Sequence, residues 1–134
     1  MNTLADILQR EDALSERLAL RVADVLSKCL SRAEAEHTGR VPNLGPRRVR
    51  IQDDDHIDVS EILLASDPSA CPPSYRSPEL VRGEEPDSRS LMYSLGAFLY
   101  HLLTGVQPFG EWPEAEIPER HVVDELADPR RLGI

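Results

Sequence analysis

The sequence predicts a mainly α-helical domain that carries one small β-hairpin. Three observations predict it. Apolar residues recur every three or four positions from Ser15 to Ala33, a nearly uncharged apolar run spans Ser90 to Thr104, and polarity alternates on both sides of the acidic turn Asp53, Asp54, Asp55.

The first helix opens at Thr3, which has the form of an N-cap with Asp6 three residues on, and Leu4, Ile7 and Leu8 give about two turns of apolar face. Ser15 opens a longer helix in the same way. Leu18, Val22, Val25, Leu26, Cys29 and Leu30 lie on one side of it, with Arg17, Arg21, Asp24 and Lys28 largely on the other. Cys29, on the apolar face, is expected to be a small buried residue. Gly39, Pro42, Gly45 and Pro46 mark residues 37–46 as a loop. Val49 and Ile51 alternate with Arg48, Arg50 and Gln52, and Ile57 and Val59 alternate with His56 and Asp58, which is a hairpin with one buried face. Residues 66–78, rich in Ser and Pro, read as a loop that leaves Tyr75 and Ser77 exposed. The run from Ser90 to Thr104 is the central helix, with Leu95, Met92, Phe98 and Leu102 in the core and Gly105 as its C-cap. Residues 108–118 read as a further loop, and residues 121–126 as a last short helix.

Composition narrows the function classes. The chain has 134 residues, 40% of them apolar, enough for one modest core. Its formal net charge is -9, so nucleic acid and anionic membranes are poor partners for the whole. The basic run Arg47, Arg48, Arg50 is followed at once by Asp53, Asp54, Asp55, which weakens its attraction to a polyanion. Two distant cysteines, Cys29 and Cys71, form no Cys-x-x-Cys pair, and the four histidines have no metal-ligand spacing, so neither metal nor cofactor is expected. No apolar run is long enough to span a bilayer and no signal peptide is visible, which predicts a soluble, cytoplasmic chain.

Two stretches carry a resemblance. Tyr75-Arg76-Ser77-Pro78-Glu79 resembles the end of a protein kinase activation segment. Tyr93-Ser94-Leu95-Gly96, then Leu102-Leu103-Thr104-Gly105 and Pro108-Phe109, resembles the central helix of a kinase C-lobe and the segment just after that helix. The order of elements agrees, over roughly residues 3 to 110. The resemblance implies a kinase C-lobe fold with no N-lobe. The only lysine, Lys28, sits on a helix, so none stands ready as a phosphate-binding strand lysine.

Aligned on Pro46, the positions that carry catalysis in kinases are changed. Asn43 stands where the aspartate base would be, and an amide accepts no proton at neutral pH. Gly45 replaces the phosphate-steering lysine, Arg48 the metal-binding asparagine, and Glu61 the magnesium-binding aspartate. Leu91 stands where an aspartate of the central helix would hold the catalytic loop. These replacements predict that the chain is not an enzyme. The leucine-rich opening helix, the Leu14-Ser15-Glu16 segment and the element from Met92 to Gly96 resemble the KIND domain, the kinase non-catalytic C-lobe domain.

That resemblance implies a protein-interaction module of kinase C-lobe type over residues 1–110, with 111–134 a short tail, a remnant of later C-lobe helices. Some KIND domains hold a basic peptide on an acidic surface. The expected partner is therefore a Lys/Arg-rich segment, and the candidate contacts are Asp53, Asp54, Asp55, Glu84, Glu85 and Asp87. A shallow acidic face is expected because a domain this small leaves little room for a large pocket. The plainer reading of the same carboxylates is a solvated turn and a solvated loop. Glu79 is expected to be buried and paired, with Leu95 and Leu102 structural. The alternative is a regulatory pseudokinase fragment that binds an active kinase or another signalling enzyme.

Overall fold

The computed structural model describes residues 2–11, 13–36, 41–52, 56–62, 64–65, 70–84 and 88–108. The expected helices at residues 3–8 and 15–33 and the central helix are present. The loop and short helix expected after residue 108 lie outside the described residues.

Strand β1 (Asn2–Thr3) leads directly into helix α1 (Leu4–Glu11). The helix starts where it does because of a reciprocal cap. The Thr3 amide donates to Asp6 Oδ2 at 3.0 Å, and the Asp6 amide donates to Thr3 Oγ1 at 3.3 Å. These bonds to the ionised form hold the Asp6 carboxyl below its ordinary value. Leu4 and Ile7 face inward. Helix α2 (Glu16–Glu36) is capped by Ser15, whose Oγ accepts from the Leu18 amide at 3.2 Å. It buries Ala19, Val22, Leu26 and Leu30. Cys29 is only half-buried, at the margin of that face.

Strand β2 (Val41–Pro42) precedes the hairpin. The hairpin forms in register, with strand β3 (Arg50–Ile51) antiparallel to β4 (Ile57–Asp58) and Ile51 opposite Ile57. Its inward face is Val49 and Ile57. The strands are shorter than the alternation suggests. β1 adds a third strand, pairing Thr3 with Arg50. A second sheet pairs β2 with β5 (Leu64–Ala65). A two-residue strand is too short to show a period, so β1, β2 and β5 carry no sequence signal.

Helix α3 (Pro78–Val81) is capped by Ser77, whose hydroxyl accepts from the Leu80 amide at 3.3 Å. Ser77 and Tyr75 are buried, which corrects the expectation that this loop leaves them exposed. Ser77 is spent on the cap, and the Tyr75 ring packs edge-on against Phe98 with centroids 5.4 Å apart.

Helix α4 (Ser88–Thr104) packs against α2 through the middle of the molecule. Leu91, Leu95, Ala97, Phe98 and Leu102 are buried. Met92 is not; it is 57% exposed, against the expectation of a core position. Arg89, Met92 and Gly96 succeed one another at helical spacing and are all exposed, so they mark the outward stripe of the helix. Gly105, at φ +75°, ends the helix as its residue type predicts, and its amide donates to the His101 carbonyl at 2.8 Å. The Leu14 amide donates to the Leu102 carbonyl at 2.8 Å and so ties the α1–α2 connection to the end of α4.

Candidate functional site

A cleft of about 640 Å³ lies between α1, the turn at residues 45–48 and the end of α4. It is an open cleft, bordered by residues from three separated segments. Its lining includes the apolar residues Ala5 and Leu8 of α1 and Pro46, and the basic residues Arg47, Arg48 and Arg50. Residues Pro46–Arg48 form a 3-10 turn, which results from Pro46 fixing φ after the extended Gly45. Arg47 and Arg48 are exposed.

The four altered catalytic positions gather at this cleft. Asn43 Nδ2 donates to the Glu61 carbonyl at 3.3 Å. Glu61 Oε2 pairs with Arg50 Nε at 3.1 Å. Both partners are half exposed, so the pair adds little to stability. Gly45, Arg48 and Glu61 line the cleft. The Gly45 backbone is extended, with φ 174° and ψ 146°, a conformation open to any residue. A Cβ there would meet nothing within 4 Å. Among the described residues no group of His, Cys, Asp and Glu could hold a metal ion.

Gln9 of α1, His101 and Gln107 complete the lining. His101 is buried on α4, and its Nδ1 lies 2.7 Å from the Tyr75 hydroxyl. Burial lowers the imidazole pKa and raises that of the Tyr75 phenol, so both partners of this hydrogen bond are neutral at pH 7. Ser74 Oγ donates to Gln107 Oε1 at 3.1 Å. Of the lining residues, sequence reasoning singled out Gly45, Arg48 and Glu61 and missed the other eight, Arg47, Arg50 and His101 among them. The one available signal was Arg47 and Arg48 directly after the turn-forming Pro46.

Of the six acidic candidates, Glu84 alone is among the described residues. Glu84 is exposed and paired with Arg82 at 3.3 Å. Asp53, Asp54, Asp55, Glu85 and Asp87 lie outside the described residues. Glu79 is half-buried and accepts from Ser90 Oγ at 3.5 Å. Burial, then the nearby Glu79 charge, pushes the Tyr93 phenol up to about 12. The Cys71 thiol is pushed up to about 11 by burial and stays protonated at neutral pH.

No protein-family model matches the chain. It is similar to serine/threonine-protein kinases of bacteria. The kinase pkn3 of Myxococcus xanthus is 30% identical over 145 residues, 96% of this chain and 26% of that protein. The DNA damage-responsive kinase RqkA of Deinococcus radiodurans is 35% identical over 78 residues, 58% of this chain and 11% of that protein. PknB of Mycolicibacterium smegmatis is 48% identical over 58 residues, 42% of this chain and 9% of that protein. The chain is a kinase-related region, mostly helical with a small antiparallel sheet, compatible with a kinase C-lobe. It spans about a quarter or less of the relatives it matches.

These relatives overturn the expectation that the chain is not an enzyme. They are named as kinases, and so point to an enzyme family. Among the described residues no helix is long and apolar enough to cross a membrane.

Proposed function

We propose that this chain is the C-lobe part of a protein of serine/threonine-kinase type, and that its share of the function is to hold a polypeptide segment in the cleft between α1 and the 45–48 turn. The observation that carries this reading is the cleft, about 640 Å³ and lined by both apolar and charged residues, at the positions that resemble a kinase catalytic loop. Transfer to a protein hydroxyl depends above all on positioning, and a segment held beside that loop is the part of the task a C-lobe can perform. In this reading residues 1–110 form the lobe and 111–134 an appended tail.

The KIND likeness and the net charge of -9 favour a second reading, in which a Lys/Arg-rich segment docks on the acidic groups Asp53, Asp54, Asp55, Glu84, Glu85 and Asp87. Its one described carboxylate, Glu84, is exposed and paired with Arg82 at 3.3 Å.

Gly45 offers the test. Nothing within 4 Å opposes a side chain there, so Gly45→Trp should fold and fill the cleft. Peptides selected from a random display library on the parent chain are expected to lose binding to Gly45→Trp, with its circular-dichroism melt unchanged. Selected peptides that bind both proteins equally would place the binding surface elsewhere.

A further inference from the structure

The charge of the cleft runs against the charge of the chain. Of its lining residues three are arginines and one is a glutamate. Arg50 and Glu61 are 3.1 Å apart and cancel each other. Arg47 and Arg48 remain, exposed, and neither forms an ion pair with another described residue. Asp6 feels the charge of Arg47 but is not part of the lining. His101, whose pKa is lowered by burial, is neutral at pH 7 and adds no charge. The cleft is therefore basic, with apolar residues in its lining, on a molecule of formal net charge -9.

An arginine fork matches a carboxylate in geometry as well as in charge. A Lys/Arg-rich segment in this cleft would face two guanidinium groups with no carboxylate left to answer it, and like charges across an interface are costly. We infer that the occupant of the cleft is an acidic polypeptide segment, its Asp or Glu side chains on Arg47 and Arg48 and an apolar side chain against Leu8 and Pro46. This rests on the cleft being a polypeptide site, and adds to it the sign of the ligand.

The experiment measures fluorescence anisotropy of two labelled peptides with the full 134-residue chain. Both peptides carry the same central Leu and Phe; one is flanked by Asp and Glu, the other by Lys and Arg. The acidic peptide is expected to bind, more weakly as salt is raised. The double substitution Arg47→Glu, Arg48→Glu should weaken it by about tenfold or more. Both side chains are exposed, so the fold should tolerate the change, and a thermal melt checks that it does. Arg82→Glu, away from the cleft, should leave affinity unchanged. Preference for the basic peptide, displaced by Gly45→Trp, would overturn the sign of the ligand and leave the cleft as a polypeptide site. If neither peptide binds at low salt, this inference and the reading beneath it fail together.

Discussion

At the scale of single residues, the buried Tyr75–His101 pair is the most telling contact. It joins the loop before α3 to the end of α4, and its His101 lines the cleft. Tyr75→Phe should cost about 1–2 kcal/mol, because it leaves a buried ring nitrogen without its hydrogen-bond partner. A urea titration measures this. The pair also predicts a pH dependence. The folded pKa of His101 lies below its ordinary value of 6.5, so the unfolded chain binds more protons in that range. Stability is then fully present above about pH 6.5 and falls as the pH drops from there toward the folded pKa. His101→Asn should be less stable at pH 7.5 but lose less on going to pH 5.5. Equal losses in parent and variant would show that His101 is not the group responsible. None of this is legible in the sequence, where Tyr75 stands in a Pro- and Ser-rich stretch with the look of an exposed loop.

At the scale of elements, the sequence is most readable where local chemistry decides. The Thr3–Asp6 cap, the Ser15 cap and the Gly105 stop are each set by residues within four positions, and each is present. Thr3→Ala should cost about 1 kcal/mol, measured by thermal or urea unfolding. Placement on α4 is harder. An apolar helix has no polar side to mark its outward stripe, so only the packing of α2 against one face tells Met92 from Leu95. The two leave opposite predictions. Leu95→Ala should cost on the order of 2–5 kcal/mol, and Met92→Ala should stay within about 0.5 kcal/mol of the parent. Equal effects would mean that the helix is rotated about its axis. The two-residue strands are unreadable because tertiary pairing makes them, and alternation needs a longer run to show.

At the scale of the whole molecule, composition describes the average and misses the site. A net charge of -9 suggests an acidic binding face, yet the cleft collects Arg47, Arg48 and Arg50. Those residues are close in sequence, but only the fold brings them together with α1 and the end of α4, where three separated segments border one open cleft. The candidate positions 43, 45, 48 and 61 do come together, since Asn43 contacts Glu61 and the other two line the cleft with it. The same replacements are no proof that an enzyme is excluded, and the relatives named as kinases correct that expectation. The central claim is that a polypeptide segment occupies this cleft, and a two-dimensional NMR titration of the labelled chain with a selected peptide tests it most directly. Amide shifts should concentrate at Ala5, Leu8, Gln9, Gly45, Arg47, Arg48 and Gln107. Shifts concentrated at residues 53–55 and 84–87, with those amides unmoved, would contradict it.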